Sequence, residues 1–330
     1  MTLASDTQTI GAEAPHDTLN ATAGRSLRQI VITRLRRDRV AIVALGILVF
    51  IYLLAIFGPF IAPMFGFDPF AYDAAAVATS TGSPALPFGG ISPAHPLGVE
   101  WGTGRDIASQ LLWGLRISLI VATSATVMVV AIGVTVGIVA GYAGGWTDML
   151  LGRFMDLILA FPTLLILIAM SGVLTQRLTE LGIPPGNPSR IIYLILAISA
   201  FGWPYLARIV RGQVLSLRER EFVEAAVAMG ASRRRILFTE ILPNLWAPIL
   251  VYTSLALPAF IGLEAALSFL GVGILPPDVT FGAMLASSVR FFQTVPTYLF
   301  IPGGFLVIIV VSFNLLGDSL RDALDPRATH

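Results

Sequence analysis

The chain contains neither cysteine nor lysine. Without thiols it can form no disulfide, no thiolate nucleophile and no cysteine-ligated metal centre. Without lysine the phosphate-binding loop G-x-x-x-x-G-K-[ST] cannot exist, because that lysine is what reaches the β- and γ-phosphates; the polypeptide is therefore not a nucleoside triphosphatase of this type. Charge is scarce as well, at 12% of residues, against about 25% in soluble domains. Histidine is confined to His16, His95 and His330, too scattered for a metal site, and neither a nucleophile elbow nor an HExxH pattern occurs. No catalytic residue, cofactor site or metal site is expected. What is abundant is apolar: 55% of residues are hydrophobic, the composition of an integral membrane protein.

A helix needs about 20 mostly apolar residues to cross a hydrocarbon layer roughly 30 Å thick. Six stretches meet that requirement: Val40 to Ile61, Ile117 to Tyr142, Phe154 to Leu174, Ile191 to Val210, Leu245 to Val272 and Tyr298 to Leu316. No apolar core precedes Ile30, so the first span is expected to be a retained helix rather than a cleaved signal. All 21 basic residues are arginine, and with the amino terminus in the cytoplasm sixteen of them fall on that side. The positive-inside tendency therefore predicts both termini cytoplasmic. The resulting plan is a tail over 1–39, partly disordered, a six-span domain over 40–318 and a second tail over 319–330. Residues 62–116 form an outside loop, irregular because it is rich in Pro and Gly, and residues 212–244 form the largest cytoplasmic loop.

That cytoplasmic loop is the most charged part of the domain. From Glu219 to Met229 it has good helix formers, with Phe222, Val223, Ala226 and Met229 on one face at three- and four-residue spacing. Gly230 is placed to end this helix, Ser232 to cap a second, and Pro243 to stop that second helix before the fifth span. Ile236, Leu237 and Ile241 would face the membrane bundle while Arg233, Arg234 and Arg235 face water. A DNA-binding helix-turn-helix is disfavoured because both ends are tethered to membrane spans. A purely topogenic loop would not need the apolar face.

Glu224-Ala225-Ala226, then Gly230, then Leu242-Pro243 resemble the EAA motif of ABC importer permeases, the cytoplasmic loop that docks on an ATP-binding subunit. The resemblance continues through His95-Pro96-Leu97-Gly98, Gly104-Arg105-Asp106, Gly114-Leu115-Arg116-Ile117-Ser118-Leu119, Gly141-Tyr142-Ala143-Gly144-Gly145-Trp146, Phe161-Pro162 and Leu267-Ser268-Phe269-Leu270-Gly271 with Glu264. These segments are similar to permeases of the dipeptide, oligopeptide, opine and nickel group, nearest the DppC and OppC branch. Val99-Glu100, Gln110 and Glu240 depart from the group's usual residues, and Glu240 could pair with Arg233 or Arg234.

The resemblance implies an all-α type I permease fold with Glu224, Ala225, Ala226, Gly230, Leu242 and Pro243 on the docking surface. It implies as partners a homologous permease of the DppB or OppB type, two ATP-binding subunits that hold ATP and Mg, an extracytoplasmic solute-binding protein, and lipid of a bacterial or archaeal plasma membrane. No nucleic acid is implied. The cargo expected first is a di- or oligopeptide, with nickel chelates, opines and glutathione as alternatives. A self-sufficient secondary transporter is the rival from another class, but it should show repeated halves and interrupted spans near the midplane, and no convincing duplication is found.

Within the spans, Gly133, Gly137 and Gly141 recur every four residues, which favours close helix approach. Pro162, Pro204 and Pro258 would kink their helices, as fixed shape or as hinges. Asp156 is expected to pair with Arg153 three residues away. Glu264 lies about 28 Å along its helix from Leu245, near the outer surface, where it would line a gate or vestibule or touch the neighbouring permease.

Overall fold

The computed structural model describes residues 27–66 and 68–324. Expectations for the amino-terminal tail before Leu27, and for His16, Arg25, Arg327 and His330, lie outside them. The helices run in chain order as α1 (Leu27–Arg37), α2 (Arg39–Ile61), α3 (Ile107–Ala143), α4 (Gly145–Ala160), α5 (Thr163–Glu180), α6 (Asn187–Leu217), α7 (Glu221–Ala228), α8 (Leu242–Phe269), α9 (Phe281–Ser288) and α10 (Thr297–Leu324). The described residues contain no strand beyond two isolated bridges, Val77 with Pro84 and Val99 with Asp106. The fold is all-α.

Five spans are helices long and apolar enough to cross a membrane, and α4 with α5 makes a sixth only as a bent pair. The expectation of one helix from Phe154 to Leu174 is corrected here: the chain turns through 86° between α4 and α5. Pro162 lacks an N–H and disfavours the helical conformation in the residue before it. Phe161 is accordingly extended, with φ −81° and ψ 138°.

Helix starts follow short acceptor side chains. Asp38 accepts from the Val40 N–H at 2.8 Å to open α2, and Asp106 accepts from the Ser109 N–H at 2.7 Å to open α3. These bonds satisfy amides that have no partner inside the helix. With its start at Ile107, α3 reaches 37 residues, about 55 Å at 1.5 Å per residue, more than a bilayer core requires. Residues 107–116, expected in the irregular outside segment, are therefore helical. At the other end α10 stays helical through Leu324, beyond the tail boundary expected at 319.

The centre of the domain is the pairing of α3 with α6. A Cβ on Gly133 would lie 3.0 Å from Leu206 Cβ, on Gly137 2.7 Å from Val210 Cβ, and on Gly141 2.8 Å from Val214 Cβ. Those glycines let the two backbones approach, the packing expected from their spacing. The helix pairs α8 with α10 and α2 with α10 complete the bundle around α3.

Candidate functional site

Between α6 and α8 the chain makes a short helical excursion. α7 ends in a Schellman arrangement: the Gly230 N–H donates to Val227 O at 2.9 Å and the Ala231 N–H to Ala226 O at 3.0 Å. Gly230 holds φ at +75°, a conformation that costs glycine little and side-chain-bearing residues more. Ser232 Oγ then accepts from the Arg235 N–H at 3.4 Å, the weak cap of the following turn.

The second half differs from expectation. Pro243 does not stop a helix; Arg233–Arg235 passes through a π-helical stretch, Ile236–Ile241, directly into α8. The wider π turn accommodates a proline that has no N–H to give and whose ring would crowd an α-helical turn. Glu240 makes no ion pair with Arg233 or Arg234 among the described residues; its carbonyl accepts from Asn244 Nδ2 at 2.6 Å instead.

The excursion has two faces. Val223, Ala226, Ile236 and Ile241 are buried in one cluster with Val210, Val214 and Leu245, so α7 packs on the π-helical stretch and shares one apolar core with the ends of α6 and α8. Outward lie Glu224, Ala225, Gly230 and Pro243, with Arg233, Arg234 and Arg235 also exposed. Leu242 is half-buried. Ala226, expected on the outer surface, belongs to the inner face. Phe222 and Met229, expected on one face with Val223 and Ala226, are exposed, and so are Val227 and Phe238. A charged excursion carrying four uncovered apolar side chains is a surface suited to a protein partner.

Beside it, α4 is tied to α6 by two arginine–carboxylate bridges that spacing along the chain did not reveal. Arg211 grips Asp148 with both Nε and Nη2, the latter at 2.7 Å. Arg208 Nη2 reaches Asp156 at 2.5 Å. Asp156 thus pairs across helices with Arg208 rather than with Arg153 on its own helix. The side chains of Asp148, Asp156, Arg208 and Arg211 border a cavity of about 210 Å³ with the exposed Arg153.

On the opposite side, residues 68–106 are irregular yet ordered around buried charge. Arg105 Nε donates to Glu100 Oε2 at 2.6 Å, Tyr298 OH donates to Glu100 Oε1 at 2.8 Å, and Arg105 Nη1 donates to Pro277 O at 3.2 Å. Burial pushes the Glu100 carboxyl up, but the hydrogen bonds from Arg105, Thr103 and Tyr298 and the Arg105 charge outweigh it and hold it below the ordinary carboxylate value. His95 sits between Asp73 and Asp106, 3.2 Å from an oxygen of each. The sequence offers His95, Arg105 and Asp106 as motif residues and Glu100 as a departure, but spacing alone does not bring them together.

Glu264, expected to line a gate or vestibule or to touch the neighbouring permease, is fully buried within this chain. Ser118 Oγ donates to it at 2.6 Å and Ser268 Oγ at 2.8 Å. It joins α3 to α8 inside this chain.

Residues 133–330 match the family model described as binding-protein-dependent transport system inner membrane component. Residues 26–79 match the N-terminal transmembrane domain of oligopeptide transport permease C. The dipeptide transport system permease protein DppC of Alkalihalophilus pseudofirmus is 36% identical over 89% of this chain and 88% of its own. The oligopeptide transport system permease protein OppC of Haemophilus influenzae is 36% identical over 92% and 90% respectively. Among solved structures, an inward-facing form of the MetNI methionine ABC transporter superposes with a TM-score of 0.52 at 20% identity, over 66% of this chain and 96% of that one.

Proposed function

This chain belongs to the family of binding-protein-dependent transport system inner membrane components, and from that premise we propose that α7 and its flanking turns form the surface on which an ATP-binding subunit of an importer docks. The carrying observation is the two-faced build of the excursion. Its inner side shares one apolar core with α6 and α8, while Glu224, Ala225 and Gly230 stand outward beside exposed Phe222, Val227 and Met229.

A helix clamped to two spans in this way transmits displacement as a rigid body, because packed cores have discrete arrangements rather than continuous ones. ATP-dependent closure of two partner subunits, which bind the nucleotide and Mg, would push α7 and swing α6 and α8. The nucleotide biases the pathway only through contacts that differ between its states. Both termini and the excursion lie in the cytoplasm on this reading, residues 62–106 face an extracytoplasmic binding protein, and a second, homologous permease completes the pathway. The names of the relatives, dipeptide and oligopeptide permeases, support a short peptide as cargo.

The test places a photoactivatable cross-linking residue at Ala225 or, separately, at Ala226 in the assembled transporter. Position 225 should cross-link to the ATP-binding subunit and position 226 should not. Glu224→Arg should abolish uptake while this chain still assembles with its partner permease. Cross-linking from position 225 to the extracytoplasmic binding protein, or full uptake by Glu224→Arg, would overturn the docking role.

A further inference from the structure

The ends of α2 and α3 on the side of residues 62–106 enclose a groove of about 390 Å³ that none of the roles above uses. Its walls are one face of each helix, with Tyr52, Ile56 and Phe60 on α2 and Arg116, Ile120 and Ser124 on α3, all at four-residue spacing. The helices run antiparallel here. Phe60 meets Arg116 at the mouth, with the guanidinium carbon 5.3 Å from the ring centroid, and Tyr52 meets Thr123 at the base through a 3.0 Å hydroxyl contact.

Two features identify what fits. First, the guanidinium of Arg116 has no ion-pair or hydrogen-bond partner among the described residues, whereas Arg105, Arg190, Arg208 and Arg211 are all satisfied within the chain. A cation at the end of a span, held over an aromatic ring, is suited to an anionic oxygen at headgroup depth. Second, Phe60 to Tyr52 is eight residues, about 12 Å of helix, close to the roughly 15 Å depth of one leaflet's hydrocarbon. Below Arg116 the walls are apolar apart from hydroxyls at the base, two of which already bond each other.

We propose that this groove is a binding site for one glycerophospholipid of the leaflet nearer residues 62–106, its phosphate on Arg116 and an acyl chain along Ile56 and Ile120. A soluble phosphate would find one cationic side chain at the mouth and would leave the apolar walls below it unused. A packed helix from another subunit would need an acidic side chain of its own at that depth to pair with the guanidinium. The lipid satisfies both ends at once.

The test is native mass spectrometry of the whole transporter, including its partner permease and ATP-binding subunits, titrated with phosphatidylglycerol in detergent. Wild type should retain one more tightly held phosphatidylglycerol than Arg116→Gln, whose affinity for it should fall roughly tenfold for loss of a charge-assisted contact. Arg116→Lys should keep the site, and Ile56→Trp, which fills the groove, should lose it with the charge intact. Diacylglycerol, which lacks the phosphate, should not occupy it, and 10 mM inorganic phosphate, a probe concentration of about that size, should not compete. Equal lipid retention by wild type, Arg116→Gln and Ile56→Trp would overturn the site. Failure of Ile56→Trp to assemble with the partner permease would instead assign the groove to a subunit interface, and competition by phosphate would assign it to a free anion; either result refutes the lipid.

Discussion

Gly137 on α3 lies so close to Val210 on α6 that a Cβ there would stand 2.7 Å from both Val210 Cβ and Ala207 O. Neither neighbour is the free end of a flexible side chain, so an added methyl must push the helices apart. Gly137→Ala should cost about 1–3 kcal/mol, the range for overpacking a close-packed core, and Gly137→Leu should prevent assembly. Gly172→Ala, at a helical glycine with nothing within 4 Å of its would-be Cβ, is the matched control and should be neutral or slightly stabilising. Thermal unfolding of the purified transporter in detergent reads the difference.

The bridge from Asp148 to Arg211 should matter more than the one from Asp156 to Arg208. The first is bidentate and its side chains are 19% and 32% exposed, while those of the second are 53% and 51% exposed. A double-mutant cycle with Asp148→Asn and Arg211→Gln should give a coupling of about 1 kcal/mol, and the Asp156 and Arg208 cycle a smaller one within the 0–1 kcal/mol span of exposed pairs. Equal couplings would show that burial does not separate them.

The spans could be read from sequence because twenty apolar residues in a row have few other places to go, and the turn at Gly230 because few residues enter a positive φ cheaply. The direction of the chain within an apolar run is another matter. Residues 154–174 are apolar on both sides of Phe161 and Pro162, so hydropathy registers one crossing where the backbone turns through 86°. Asp156 offered Arg153 three residues away, yet its partner is Arg208, 52 residues distant. Helical spacing describes a helix by itself, and only packing brings α6 beside α4. The same holds for Ala226 and Met229, which share a spacing class but part company once α7 is laid against the π-helical stretch.

Acid should loosen the segment between α2 and α3. The Glu100 carboxyl is held below its ordinary value of 4.5 in the folded chain. Its contribution is therefore complete above pH 4.5 and is lost as pH falls through the depressed folded value. Asp73, lowered chiefly by its hydrogen bond from His95, acts in the same direction from its ordinary value of 3.8. Glu100→Gln should make the acid limb of a stability–pH profile shallower without abolishing it. At neutral pH it should also cost about 3 kcal/mol, because Arg105, with its side chain only 8% exposed, is left without its counter-charge. Glu180→Gln, which breaks a largely exposed i, i+3 pair with Arg177, should cost no more than about 1 kcal/mol.

Glu264 is where a gate and a packed joint make opposite predictions. Its oxygens accept from Ser118 and Ser268, and Ser268 Oγ in turn accepts from the Ile274 N–H at 3.2 Å, so one carboxyl links α3, α8 and the turn after α8. Glu264→Ala strands the hydroxyl of Ser118, which is fully buried, and should cost about 1–3 kcal/mol for an unsatisfied polar group. Glu264→Gln keeps an acceptor oxygen for one serine and should cost less, with uptake per folded transporter close to wild type. If the carboxyl instead worked on the transport pathway, Glu264→Gln would unfold at the wild-type temperature and still fail to transport. Unfolding temperature and uptake per folded transporter, measured on the same two variants, separate these outcomes: a joint lowers the unfolding temperature and leaves uptake per folded transporter near wild type, whereas a gate loses uptake at an unchanged unfolding temperature.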